Sequence, residues 1–425
     1  MLTESEKLDV LLRLSQELGQ SKDLDILMEH ILTEARRFVN ADAGSIYLRD
    51  NGSLVFSYTQ NDTLQQRLPP NEKLAYASFC IPINENSIAG FVAKTGNIIN
   101  IPNVARIPAT VPYHFNCSFD DRVGYSTQSI LTIPLKESNG HIIGVLQVIN
   151  AQNEHGKVIP FLPEEERMFI HFADSAAIAL ERAQLIRNLI LRTIKLAEMR
   201  DPQETGAHVN RVASYATEIY ERWARKQGVD EKEITGNRDV LRMAAMLHDV
   251  GKIAISDIIL KKPAKLSEEE YNIMKQHTVL GARLFLDGHS EFDKAASEVS
   301  LTHHERWDGK GYPGHVDIRT GSPLTGYARP DGQAQGKSRE DIPIFGRIVT
   351  IADVYDALIS ARIYKEAWDE TKVLKNIADG VGRQFDPELV EIFFSCLEFI
   401  HFIQQRYPEN QRETGQAEGT LSPES

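Results

Sequence analysis

Residues 301–313 read Leu-Thr-His-His-Glu-Arg-Trp-Asp-Gly-Lys-Gly-Tyr-Pro. A lone histidine is more often structural than a ligand, but here two imidazoles, His303 and His304, stand side by side with Glu305 and Asp308 close behind. Upstream, His277 follows Tyr271-Asn-Ile-Met-Lys-Gln on another helical stretch. His248-Asp249 ends the apolar helical run Leu241-Arg-Met-Ala-Ala-Met-Leu and precedes Val250-Gly251-Lys252. Further up, Glu204 and His208 are four apart, on one face of a helix start that Asp201-Pro202 introduces. Downstream, Asp353 lies in the apolar run Ile348-Val-Thr-Ile-Ala-Asp-Val-Tyr-Asp. From Asp201 to about Tyr407 the pattern is almost wholly helical, broken by a polar, Gly-rich stretch over 314–341.

Charged or ionisable pairs on buried helices are costly without a compensating centre, and bound cations provide one. Eight candidates arise: Glu204, His208, His248, Asp249, His277, His303, His304 and Asp353. Mixed imidazole and carboxylate donors suit Fe, Mn or Zn rather than Ca or Mg alone. The absence of cysteine from the cluster argues against a structural zinc site. Eight donors suffice for more than one ion, with an aspartate able to bridge two.

The whole chain of 425 residues has room for two or three domains, with 42% hydrophobic and 25% charged residues, an ordinary globular balance. Its net charge of −13 argues against charge-driven binding to a nucleic-acid polymer or an anionic membrane. A phosphate substrate remains compatible, because bound metals reverse the local field. No apolar stretch of spanning length and no signal-peptide core is present, so no membrane insertion is expected. Cys80, Cys117 and Cys396 lack metal-type spacing and leave one unpaired; a reduced, cytoplasmic protein is the expectation.

Ahead of the helical region, residues 1–163 read as an α+β sensory domain with an antiparallel sheet and helices. Apolar positions from Leu8 to Phe38 keep helical spacing. Ser45-Ile-Tyr-Leu and Ser53-Leu-Val-Phe-Ser-Tyr flank an Arg-Asp-Asn-Gly turn, and residues 129–135 and 141–150 form a second hairpin around Ser138-Asn139-Gly140. Residues 164–200 contain neither Gly nor Pro and read as one linker helix. Leu185, Leu189, Leu196 and Met199 keep three/four spacing with Arg192 interrupting, which reads either as a helix packed against its own domains or as a parallel signalling helix at a homodimer seam. Residues 201–407 form the all-α catalytic domain and 408–425 a disordered tail.

Two resemblances follow. Ala43-Gly44-Ser45-Ile46-Tyr47-Leu48, Gly90–Gly96, Ile133-Pro134-Leu135 and Gly144-Val145-Leu146 resemble a GAF domain over most of 20–180. Cyclic-nucleotide-binding GAF domains carry an Asn-Lys…Phe-x-x-x-Asp-Glu pattern. Asn150, Phe161, Glu165 and Glu166 fit it loosely, but Ala151 replaces the Lys, so the GAF ligand stays unassigned and a dimerising, relaying role is the alternative. The second resemblance, over roughly 190–400, is to the HD-GYP subgroup of HD-domain phosphohydrolases. It is carried by His248–Lys252, His277, His303–Pro313, Arg347–Leu358, Arg362 and Tyr364-Lys365.

That resemblance implies an enzyme, a metal-dependent phosphodiesterase hydrolysing cyclic di-GMP through pGpG to GMP. By position, His248, Asp249, His277, His303, His304 and Asp353 correspond to ligands of divalent iron or manganese, with Asp249 the catalytic bridge. Lys252 corresponds to a catalytic, phosphate-contacting lysine. Arg362 and Lys365 correspond to substrate contacts, while Gly311, Tyr312 and Pro313 shape the pocket and stack on a base. Members with Glu-Thr-Gly-x-His resemble the type holding three metals, so Glu204 and His208 imply a trinuclear rather than a binuclear site. The 314–341 connection exceeds the usual family length and reads either as a lid or as a tolerated surface insertion. Two rivals stay open: a non-catalytic cyclic di-GMP receptor, and a hydrolase of another cyclic dinucleotide.

Overall fold

A computed structural model describes residues 23–50, 52–69, 80–198, 206–360 and 368–408. Glu204, Arg362, Lys365, Met199 and the stretch from 409 onward lie outside the described residues. Among the described residues the N-terminal domain begins with helix α1 (Leu24–Phe38), whose first turn is capped by the Asp23 side chain accepting from the Asp25 and Ile26 amides. Leu24, Leu27, Met28, Ile31, Leu32, Ala35 and Phe38 are buried at three/four spacing and cover one face of a sheet.

The strands are β1 (Ala41–Asp50), β2 (Ser53–Asn61), β3 (Cys80–Pro82), β4 (Ile99–Ile101), β5 (Ile130–Lys136), β6 (Ile142–Gln152) and β7 (Val158–Ile159). They pair antiparallel in the order β3-β2-β1-β6-β5-β4, with β7 added on β6. Both expected hairpins are present, with Asp50 opposite Ser53 and Ile130 opposite Ile149. Alternation splits the faces: Ile46, Leu146 and Leu131 meet α1, while Tyr47 and Val145 meet helix α3 (Ile88–Thr95) on the other side. Two shorter helices, α2 (Asp62–Gln65) and α4 (Ser118–Val123), complete this domain.

The residues that loosely fit the nucleotide pattern are committed to the fold. Asn150 adopts a left-handed φ of 56°, accepts from the Gln128 and Ser129 amides at 2.7 and 3.3 Å, and donates to the Ser126 carbonyl at 2.8 Å. Phe161 is buried in the core beneath α1. Glu166 accepts from Asn100, and Glu165 from the Leu162 amide.

Helix α5 (Pro163–Glu198) runs unbroken for 36 residues. Phe169, Phe172, Ala176 and Leu180 enter the first core, whereas Ile190 and Ile194 enter the second. Four of its apolar residues face out: Ile178, Leu185, Leu189 and Leu196 are 62%, 59%, 53% and 58% exposed.

The second core belongs to an all-helical domain: α6 (Gly206–Lys226), α7 (Glu231–Met246), α8 (Asp257–Leu260), α9 (Glu268–Lys275), α10 (His277–Arg283), α11 (Glu291–Thr302), α12 (Ile344–Ile359), α13 (Glu370–Asp379), α14 (Pro387–Ser395) and α15 (Leu397–Arg406). Tyr215 on α6 meets Tyr355 on α12 edge-on, and Tyr355 in turn meets Phe393 on α14. No described helix is long and apolar enough to cross a membrane.

The 314–341 connection packs Val316 and Ile318 on Val279, Ala282 and Leu301, and Arg283 Nε donates to the Ile318 carbonyl at 2.6 Å. It therefore braces α10, the helix that begins at His277. Charged contacts join the two domains. Asp25 at the start of α1 meets Arg187 of α5 at 3.0 Å, Arg406 of α15 at 3.1 Å, and Arg242 of α7. Arg238 reaches Glu29 at 2.8 Å, and the Asp239 carboxylate accepts from the Asp23 amide at 2.7 Å. A cavity of about 480 Å³ opens along this seam, away from the metal-donor residues.

Candidate metal centre

Seven of the eight expected donors lie among the described residues, on five helices or at their ends. His208 lies in the first turn of α6, His248 and Asp249 just past α7, and His277 at the start of α10. His303 caps the C-terminus of α11 with His304 next, and Asp353 lies on α12. Tight packing at glycine fixes two of these positions. A Cβ on Gly251 would lie 1.9 Å from the His277 carbonyl, so only glycine lets the turn after Asp249 approach α10. A Cβ on Gly311 would meet the Arg306 amide at 2.4 Å, and there the loop folds back until the Tyr312 amide donates to the His304 carbonyl at 3.2 Å.

The donors converge as two groups, Asp249/His277/His303/His304 and His208/His248/Asp353, with ligand atoms inside each lying within 4.8 Å of one another. Asp249 stands between them. Its Oδ1 faces His277 Nε2 at 3.1 Å and His303 Nε2 at 3.5 Å, while Oδ2 faces His248 Nε2 at 3.3 Å. His208 Nε2 and His248 Nε2 lie 3.7 and 3.9 Å from Asp353 Oδ1.

The tautomers follow from the opposite ring nitrogens. Nδ1 of His248 and of His277 each lies 2.8 Å from a backbone carbonyl, of Ala245 and Met274, and His303 Nδ1 lies 3.0 Å from those of Val299 and Ser300. A carbonyl only accepts, so Nδ1 carries a proton and Nε2 is the ring atom turned inward as the candidate metal donor. His277 and His303 direct Nε2 atoms at each other across 3.4 Å, a repulsive arrangement that a cation between them turns favourable. Burial lowers the basicity of His303. Burial, with the neighbouring imidazoles His303 and His277, pushes His304 well below the usual range. Burial opposes ionisation of Asp249, yet the Lys252 ammonium and adjacent imidazoles outweigh it and hold its carboxyl well below the carboxylate range. Imidazole Nε2 atoms gathered around carboxylate oxygens are the donor chemistry of a divalent metal, and the residues fit one.

Lys252 lies one tight turn after Asp249, with Nζ 2.7 Å from Asp249 Oδ2. Tyr312 stacks at a tilt on His304, ring centroids 4.9 Å apart. Glu305 anchors the loop from beneath, accepting from the Gly314 amide at 2.6 Å and the Lys337 amide at 3.1 Å.

Sequence reasoning missed the support around His208. Its Nδ1 donates to Asp356 Oδ2 at 2.8 Å, and Arg211 grips the same carboxylate at 2.7 and 2.8 Å. The signal was available: Asp356 is three residues after Asp353 and Arg211 three after His208, both on one helical face. Burial raises the Asp356 pKa, but Arg211 and His208 overcome this and hold it down at about 2. Such outer partners are worth about 10- to 100-fold in metal affinity. Asp356→Ala is expected to lose that much, read as the chelator concentration that strips half the metal.

The HD domain model matches residues 205–358, with a second HD domain model over 329–389, and the GAF domain model matches 23–180. The chain carries a GAF domain followed by an HD domain. The GAF match runs into α5 as far as Leu180, the last of that helix's residues named above in the first core. Among relatives, a Vibrio cholerae protein named cyclic di-GMP phosphodiesterase is 41% identical over 208 residues, 48% of this chain and 38% of that protein. A second from Vibrio cholerae, named 3'3'-cGAMP-specific phosphodiesterase 2, is 39% identical over 223 residues, covering 52% and 37%. A Thermotoga maritima cyclic di-GMP phosphodiesterase is 36% identical over 211 residues, covering 50% and 49%. The chain thus spans less than half the length of each of these relatives.

Proposed function

We propose that the HD domain is a metal-dependent phosphodiesterase of the HD-GYP kind that hydrolyses cyclic di-GMP through pGpG to GMP. The observation that carries this reading is Asp249, set between two groups of metal donors with Lys252 against its carboxylate. Bound divalent metals would supply a water of lowered pKa and neutralise charge developing on the phosphoryl oxygens. The chain's own residues do the rest. His277, His303 and His304 would hold one ion and His208, His248 and Asp353 another, with Asp249 shared. Iron, with manganese as substitute, suits the imidazole–carboxylate set, and Glu204 with His208 would add a third ion. Lys252 would place its ammonium beside the scissile phosphate, and Arg362 and Lys365 would hold the second one. Gly311, Tyr312 and Pro313 form the adjoining wall.

A hydrolase of 3'3'-cGAMP is the second reading, favoured by the name of the Vibrio cholerae relative at 39% identity. A pure receptor is disfavoured, because all seven of these described donors are present. We further propose that the protein is a cytoplasmic homodimer, with exposed Ile178, Leu185, Leu189 and Leu196 at the seam of paired α5 helices and the GAF domain as regulator.

The test is metal analysis of protein purified without air, together with timed digests of cyclic di-GMP and 3'3'-cGAMP and mass measurement in solution. Two or three metals per chain, GMP from cyclic di-GMP and a dimer mass are expected. Fewer than two metals with no turnover would leave a receptor; accumulation of pGpG alone would remove the second cut.

A further inference from the structure

Helix α9 is short and carries no buried residue, yet it holds an aromatic ring and an ammonium at the edge of the metal centre. Tyr271 is 45% exposed. Its ring stands 6.3 Å from that of Tyr312, nearly perpendicular at 78°. Lys275, one helical turn on, places Nζ 4.7 Å from the Tyr271 centroid and 5.7 Å from the Tyr312 centroid. One ammonium proton goes to Asn272 Oδ1 at 3.0 Å, and an ammonium has three. Moving outward from the donors, the order is His304, Tyr312 at 4.9 Å, then Lys275 and Tyr271. The result is an aromatic ledge with a donor-only cation in its corner, leading from the reacting centre to solvent.

A phosphodiester held at His277, His303 and His304 would have its attached nucleoside lying over this ledge. Rings of this kind accept any base by its π face, so the tyrosines alone confer affinity without choice. The ammonium supplies the choice. Guanine offers O6 and N7, two acceptors on one edge, whereas adenine presents an amino donor where guanine has O6. A donor-only cation matches the first and opposes the second.

We propose that Tyr271, Tyr312 and Lys275 form a guanine-selective base site, so that the enzyme favours cyclic dinucleotides containing guanine over those with adenine alone. This rests on the phosphodiesterase reading above and assigns its specificity to α9. It is compatible with cyclic di-GMP and with 3'3'-cGAMP, each of which can offer a guanine to the ledge.

The test compares kcat/KM for cyclic di-GMP and cyclic di-AMP in the full-length, metal-loaded protein. The wild type should favour cyclic di-GMP. Lys275→Met should shrink that ratio by roughly 10- to 100-fold, the worth of a base-edge contact. Lys275→Arg should keep the ratio. Tyr271→Ala should raise KM for both substrates by roughly tenfold without moving the ratio. General damage to the site lowers both rates together, so the ratio isolates base recognition. An unchanged ratio in Lys275→Met, or a wild type that cleaves both substrates equally, overturns the base site while leaving the phosphodiesterase intact. Turnover of neither substrate by fully metal-loaded wild type overturns the phosphodiesterase itself, and the base site with it.

Discussion

Asp249→Ala is expected to lower the rate of cyclic-dinucleotide hydrolysis by about 10³-fold or more and to strip metal from both donor groups. No other placed donor serves both: Oδ1 faces His277 and His303, and Oδ2 faces His248 and Lys252. Its loss leaves imidazole Nε2 atoms opposed at 3.4 Å with no anion among them. It also releases Lys252 from the carboxylate that positions it. Bound metal and the ammonium each stabilise negative charge on phosphorus by several kcal/mol, and about 4 kcal/mol already equals 10³ in rate. Metal content distinguishes this outcome from simple unfolding: the variant should bind fewer ions while its helical circular dichroism persists. Full turnover in Asp249→Ala would remove Asp249 from the chemistry.

Asp25→Asn should have the largest effect on stability away from the metals, about 3–5 kcal/mol, the cost of breaking a buried ion pair from one side. The carboxylate is the shared counter-ion of Arg187, Arg242 and Arg406, and the Tyr407 hydroxyl donates to it at 3.3 Å. An amide of the same shape leaves three crowded guanidinium groups without their shared anion, with Asp23 still paired to Arg242 at 3.0 Å. Burial works against the ionised form, but Arg242, Arg187 and Arg406 together hold its pKa far below the carboxylate range. The sign follows. A carboxyl depressed in the folded state stabilises above its unfolded pKa, near 3.9, and that contribution fades as pH falls toward the native value. The gap between wild type and Asp25→Asn in urea unfolding should therefore be full at pH 7 and narrow below about pH 4. A gap under 0.5 kcal/mol at pH 7 would show that this contact does not hold the domains together.

That these candidate donors would gather was legible from sequence, because histidine-aspartate pairs closing apolar helices have few structural uses. The spacing of His248-Asp249, His277, His303-His304 and Asp353 survives as a three-dimensional cluster. What escaped was the support. Asp356 and Arg211 look like solvated helix residues until α6 and α12 pack and bury them together. The clamp around Asp25 joins positions 162 and 381 residues apart, beyond any local pattern. In the GAF domain the reverse happened: Asn150, Phe161 and Glu166 form a suggestive sequence pattern, yet each is occupied by a turn, the core or Asn100. The 314–341 connection was readable as extra length, but whether it covered the site or braced a helix depended on where Val316 and Ile318 found apolar partners.

Helix α5 has a further consequence. At 1.5 Å per residue its 36 residues form a rod about 54 Å long, and it is a structural member of both hydrophobic cores. Phe169 to Leu180 complete one interior and Ile190 with Ile194 complete the other, so one continuous helix ties the two cores together. The two halves are therefore mechanically in series. In the second core Ile190 and Ile194 share their packing with Val209 and Leu247, the chain neighbours of His208 and His248.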